Sequence, residues 1–172
     1  MTRQTANIAS FANHMPDVVA IRRHLHRHPE IGLSEFQTSD FIAEQLVEMG
    51  YEVTRGLAGT GIVATLRNGD SARTLGLRAD IDALPIREET GAEYASANDG
   101  VMHACGHDGH TSILLAAARY LAESSQFNGT LRLIFQPAEE IGSGARKMLS
   151  IVLFDRFPFE AVFDLNNLPG VP

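Results

Sequence analysis

The most constraining feature of this sequence is an alternation of two hydrophobic periods in its second half. Thr74–Asp80, residues 129–135 and residues 161–165 read as strands. The Leu- and Ala-rich stretch 111–124 and the segment 144–154, which lie between them, read as helices. Strand, helix, strand, helix, strand calls for a sheet whose later strands run parallel and are joined by helical crossovers. The expected fold class is therefore α/β, in three α/β/α layers. The first half is richer in turns. Apolar groups at helical spacing run from Ile8 to Leu25, with Pro16 dividing or starting the helix, and His28-Pro29 ends it. Ser34 reads as an N-cap with Gln37 as its capping-box partner. The helix it opens is expected to bury Phe36, Phe41, Ile42, Leu46 and Met49 before stopping at Gly50. Residues 51–55 and 61–67 read as strands, and Asn68-Gly69-Asp70 as the turn of a hairpin between residues 61–67 and Thr74–Asp80. Residues 81–105 have no period and read as a long loop, a class that is usually functional in a compact domain.

Length and charge narrow the function. At 172 residues the chain corresponds to one domain with a conventional core. Its net charge of −7 opposes a nucleic-acid groove, which needs a basic stripe to neutralise phosphates. No apolar run approaches the ~18 residues of a membrane span. A lone cysteine, Cys105, rules out an internal disulfide framework, and the first residues lack the apolar core of a signal peptide. A cytoplasmic domain without nucleic-acid or membrane partners is the expectation.

Candidate chemistry gathers where strands end. Asp80 and Asp82 follow the first strand of the alternating half, Glu139 and Glu140 the second, Asn166 and Asn167 the third. In a parallel sheet all three sets emerge at one carboxyl edge, where open α/β folds place ligands. His103, Cys105, His107 and Asp108 precede the best helix and form a set of transition-metal donors, and in extended backbone Cys105 and His107 project the same way. Of two adjacent glutamates, one can hold metal while the other takes a proton from water. Gly59-Thr60-Gly61-Ile62-Val63-Ala64 fits a dinucleotide pattern but leads into a strand, so it is set aside. A nucleophilic Cys105 activated by His107 or His110 is a second chemistry that these residues allow.

With these residues in hand the chain resembles the M20 family of metallopeptidases and aminoacylases, nearest the branch of hippurate hydrolases, N-acyl-amino-acid amidohydrolases and indole-acetyl-amino-acid hydrolases. The resemblance runs through Arg22-Arg23-His24-Leu25-His26, His28-Pro29-Glu30-Ile31-Gly32 and the segment from Leu77 to Pro85. It continues through Met102 to His110 and Phe135-Gln136-Pro137-Ala138-Glu139-Glu140. It implies a zinc-peptidase-like α/β/α catalytic domain, of which residues 1–172 are the N-terminal portion, without the lid and dimerisation domain that follows in the family. It also implies two divalent ions, manganese, zinc or cobalt, and hydrolysis of the amide bond of a small N-acyl amino acid. By position, Cys105, His107 and Glu140 would be metal ligands, Glu139 the general base, and Asp80 an orienting carboxylate. Where the family shows Gly-Leu-His-Asn with a ligand histidine, this chain reads Asp164-Leu165-Asn166-Asn167. An incomplete sheet would leave an apolar edge that favours a homo-oligomer. A catalytically silent metal-binding or association module derived from the same family is the alternative function.

Overall fold

The computed structural model describes residues 15–151 and 153–167. In chain order the elements are α1 (Met15–Arg27), α2 (Phe36–Glu48), β1 (Glu52–Leu57), β2 (Gly61–Asn68), β3 (Thr74–Asp80), α3 (His107–Ser124), β4 (Gly129–Gln136), α4 (Gly144–Ser150), α5 (Leu153–Arg156) and β5 (Ala161–Asp164). The part of the helical spacing that precedes Met15 lies outside the described residues.

The five strands form one mixed sheet in the order β1-β2-β4-β3-β5. β3 runs parallel to both β4 and β5, as the alternation requires, whereas β1–β2 and β2–β4 are antiparallel. Successive residues of a strand face opposite sides, and that splits the core in two. Ile62, Ala64, Leu133 and Phe135 pack with Ile42, Leu46, Leu114 and Leu115 on the face covered by α2 and α3. Val63 and Ile134 pack with Met148, Leu153 and Phe157 on the face covered by α4 and α5. The result is three layers, α/β/α.

The Asn-Gly-Asp turn does not close a hairpin between β2 and β3. Strand β4 lies between them, pairing Asn68 with Gly129 on one side and Thr74 with Thr130 on the other. β4 is buried along nearly its whole length, with Leu131, Leu133 and Phe135 on one face and Thr130, Ile134 and Gln136 on the other. An edge position would expose a row of its backbone polar groups, so it takes a central place. The turn instead docks on the α3–β4 connection. Asn128 Oδ1 accepts the amides of Asp70 (3.0 Å) and Ser71 (2.8 Å), and Asn68 donates to the carbonyl of Phe127 (2.5 Å).

Helix α2 also starts differently from the expectation. Ser34 is not its cap, because Glu35 occupies that position and Glu30 reaches back to the amides of Gln37 and Thr38 at 3.2 and 2.8 Å. Phe36, now first in the helix, is 61% exposed, while Ile42 and Leu46 are fully buried as expected. The helix does stop at Gly50, whose φ of +86° lets Tyr51 N–H turn back onto the carbonyl of Leu46 at 3.0 Å. β5, at the open edge of the sheet, is exposed along its length, with Val162 half-exposed and Phe163 more so. No helix among the described residues is long and apolar enough to cross a membrane.

Candidate metal centre

The fold has a crevice where adjacent parallel strands send their connections to opposite faces. β3 continues into α3 on one face and β4 into α4 on the other, so a crevice opens between their carboxyl ends. Asp80 and Asp82 come from the β3 side, Glu139 and Glu140 from the β4 side. The first turn of α3 brings His107 and His110 between them.

That helix begins at His107, four residues earlier than the apolar period suggested. Cys105 and His107 are therefore not neighbours along an extended strand. The chain bends between them at Gly106, which has φ +86° and accepts the amides of Gly109 (2.9 Å) and His110 (3.1 Å). Asn167, arriving from β5, donates to the Cys105 carbonyl at 3.0 Å and packs so closely on Gly106 that a Cβ there would collide with its amide. Only glycine meets both conditions.

The bend brings one donor atom each from Cys105, His107 and Glu140 within 4.8 Å of one another, and the same holds for Asp80, His107 and His110. His107 belongs to both triads. Its Nδ1 lies 2.9 Å from the carbonyl of Asp82, which can only accept, so in the neutral ring Nδ1 carries the proton and Nε2 is bare. Nε2 lies 3.6 Å from Asp80 Oδ2, 3.7 Å from Glu139 Oε2 and 3.8 Å from Glu140 Oε1. Asp80 is fully buried, accepts from Arg78 Nη1 at 2.9 Å, and lies 2.7 Å from His110 Nδ1. Glu139 is 44% exposed at its side chain and Glu140 only 15%. The backbone amide of Glu140 is held by Asp82 Oδ2 at 3.0 Å.

Electrostatics follow from this crowding of carboxylates. Burial opposes the charged form of His107, but its hydrogen bond to Asp82 and the charges of Asp80, Asp82 and Glu140 outweigh it and raise its pKa. Burial likewise works against the Asp82 carboxylate, and hydrogen bonds from His107 and from the amides of Glu140 and Glu139 overcome it, lowering its pKa. Contact with Glu140, then burial, then the charges of Glu140, Glu139 and Asp80 push the Cys105 thiol up to about 11. A reactive thiolate needs the opposite environment, so these surroundings weigh against the nucleophilic-cysteine chemistry.

Two residues of the expected donor set turn elsewhere. Asp108 faces α1, with Oδ2 at 2.8 Å from His26 Nδ1 and 3.2 Å from Arg22 Nε. His103 is buried beside His26, their ring centroids 6.5 Å apart. Asn166 donates to Asp164 Oδ2 at 2.8 Å, and the same oxygen accepts from Arg78 at 2.9 Å. Arg78 had no role assigned in the sequence, and His110 figured there only as an alternative base for Cys105, not as a neighbour of Asp80. Had the helix been started at His107, the i, i+3 spacing of His107 and His110 would have placed both on one face.

The family profile described as Peptidase family M20/M25/M40 matches residues 76–172, more than half of the chain. The chain belongs to the M20 family. It is 50% identical over 149 residues to a hippurate hydrolase of Campylobacter jejuni, covering 87% of this chain and 39% of that protein. It is 42% identical to an N-acetyl-L-cysteine deacetylase of Bacillus subtilis, covering 98% and 40%. Among solved structures, a Bacillus subtilis protein described as a dinuclear metal-binding peptidase of the M20 family superposes with a TM-score of 0.87 at 39% identity, over 94% of this chain and 45% of that one. A protein of methicillin-resistant Staphylococcus aureus described as a putative aminohydrolase gives a TM-score of 0.89 at 39% identity, over 95% and 44%. The chain thus spans about 40% of the length of the curated M20 relatives it matches.

The residues present suit a divalent cation. Glu140 Oε1 and His110 Nε2 are buried without a hydrogen-bond partner among the described residues, and Asp82 Oδ1 has only the His107 ring, at 3.3 Å. Orphaned acceptors in a buried acidic cluster carry a desolvation cost that a cation offsets. Thiolate, imidazole and carboxylate together form a transition-metal donor set rather than a calcium or magnesium one.

Proposed function

We propose that this chain carries the metal-binding half of an amidohydrolase active site, acting on the amide bond of N-acyl amino acids of the hippurate class. The observation that carries the reading is the convergence of Cys105, His107 and Glu140 donor atoms within 4.8 Å, with Glu139 beside them in the crevice. Cys105, His107 and Glu140 hold the metal, and two ions of manganese, zinc or cobalt are the expected complement. Bound there, divalent cations polarise the scissile carbonyl and acidify water. Glu139, the more exposed of the pair, takes the proton of the attacking water and passes it to the leaving nitrogen. Asp82 fixes His107 in the tautomer whose Nε2 is free to ligate, as outer carbonyl and carboxylate partners of ligand histidines do. Asp80 orients the site from behind through His110 and Arg78. Residues 1–172 act in this reading as the N-terminal portion of one catalytic domain, and the names of the 50%- and 42%-identical relatives support the substrate class.

One observation favours the second reading, a metal-binding module without turnover. Asn166, at the position where the family resemblance expects a ligand histidine, is tied to Asp164 and offers no imidazole. Elemental analysis after loading with manganese or zinc, followed by an assay on N-acyl amino acids, decides. Metal retained by wild type but lost in Cys105→Ala and Glu140→Gln, together with cleavage, supports the amidohydrolase. Retention without cleavage, unrelieved in Asn166→His, supports the silent module. Failure to retain any metal overturns both.

A further inference from the structure

We infer that Glu35, outside the metal centre, is a positioning residue that sets the direction of the Glu139–Glu140 pair. The inference rests on the proposed use of that pair. Glu35 is fully buried, yet it stands at the N-cap of α2, a place where a side chain normally serves the free amides of the first turn. Here Glu30 serves those amides, and Thr38 Oγ1 donates to it as well at 2.8 Å. The Glu35 carboxylate is thereby free to point inward. Its Oε2 accepts from Thr60 Oγ1 at 2.7 Å, and its Oε1 accepts the backbone N–H of Ala138 at 2.8 Å.

Ala138 is the hinge of the turn that ends in the glutamates. It has φ +52°, a left-handed conformation that an alanine holds only when its surroundings impose it. Three things impose it. Glu35 takes its N–H, the amides of Ser143 (3.2 Å) and Gly144 (3.0 Å) take its carbonyl, and the turn fills a fitted slot. A Cβ at Gly61 would press on Pro137 Cδ at 2.9 Å, and one at Gly32 on Ala138 Cα at 3.1 Å. Burying a carboxylate is costly unless its oxygens are bonded, and both oxygens of Glu35 are bonded, one of them to this hinge. Replacing it with an apolar side chain frees the Ala138 N–H, lets the hinge relax toward right-handed backbone, and swings Glu139 and Glu140 away from His107 Nε2.

The test uses Glu35→Met, Glu35→Gln and, as a control that loosens α2 elsewhere, Leu46→Ala. Glutamine keeps both hydrogen bonds, because its oxygen accepts from Ala138 and its amide donates to a reversed Thr60 hydroxyl. Amide exchange by NMR, read without metal, is expected to speed up at Ala138 in Glu35→Met by at least about tenfold relative to β4 amides, and not in Glu35→Gln. Titration with cobalt alone, followed by the charge-transfer band of the Cys105 thiolate, is expected to show affinity down about 10–100-fold in Glu35→Met, as for other partners that orient ligands. Glu35→Gln and Leu46→Ala are expected to stay near wild type. Thr60→Val, which withdraws only the hydroxyl steadying Oε2, gives the same pattern at smaller amplitude and stands in if the methionine variant does not fold. Unchanged exchange at Ala138, or equal loss of cobalt affinity in Glu35→Met and Leu46→Ala, overturns the inference. A wild-type chain that gives no cobalt band overturns the proposed metal site instead, and the exchange measurement still decides the role of Glu35.

Discussion

The bend at Gly106 offers a direct test of how the site is assembled. Replacing Gly106 with alanine imposes two separable costs. Holding an alanine at φ +86° costs about 1–2 kcal/mol, because its Cβ crowds the following carbonyl. The new methyl also collides with the Asn167 amide, and expelling that amide forfeits the hydrogen bond to the Cys105 carbonyl, about 0.5–1.5 kcal/mol. Together Gly106→Ala is expected to cost about 2–3 kcal/mol in urea unfolding, or about 5–10 °C in Tm for a chain of this size. In an Asn167→Ala background the collision is already relieved, so the same substitution costs only the backbone part. The double-mutant cycle then shows a coupling of about 1 kcal/mol. Equal costs in the two backgrounds refute the close approach of Asn167. A total below about 0.5 kcal/mol refutes the left-handed bend itself, because an alanine pays at least twice that there.

Three further outcomes follow from the same geometry. Leu133→Ala, at a fully buried position in the larger core, is expected to cost about 2–5 kcal/mol, read as a lower urea midpoint with unchanged slope. Asn128→Ala removes the acceptor of the Asp70 and Ser71 amides and is expected to cost about 1–2 kcal/mol; no loss in thermal unfolding removes this docked corner as an anchor of the sheet order. Burial, opposed by the charge of Asp108, pushes the His103 pKa down to about 4. Below its ordinary value the unfolded chain takes up a proton that the folded chain refuses until pH is near 4. Stability from this group is thus complete above about pH 6.5 and falls as pH falls, by up to about 3 kcal/mol at pH 4. The difference between wild type and His103→Gln across that window isolates the effect, and an identical pH slope in the two removes it.

Much of the molecule was legible from local pattern. The alternation of Thr74–Asp80, α3, β4 and β5 gave parallel pairing, because apolar period and turn chemistry act within a few residues. Cys105 and His107 stood out, with His103 and Asp108, by residue type and Glu139 and Glu140 by their strand-end position, while the narrowing to Cys105, His107 and Glu140 came from the family resemblance. What the pattern missed depended on competition between distant segments. The Asn-Gly-Asp turn prefers a hairpin locally, but β4, buried on both faces, gains more from the centre of the sheet than β2 and β3 gain from pairing with each other. Ser34 has the chemistry of a cap, but Glu30 reaches the same amides from the preceding turn and sends Glu35 inward.

The same division holds at the site. Sequence by itself determined which atoms could bind a cation and on which edge of the sheet they emerge, since strand direction follows from the connections. Tertiary structure decided which of them converge. His107 joins Cys105 and Glu140 because Gly106 bends the chain and Asp82 orients the ring, while Asp108, one residue later on the helix, turns about 100° away to meet His26. A helical step separates side chains that a list of neighbours keeps together, and only the packing of α1 and β3 against α3 fixes which one faces the crevice.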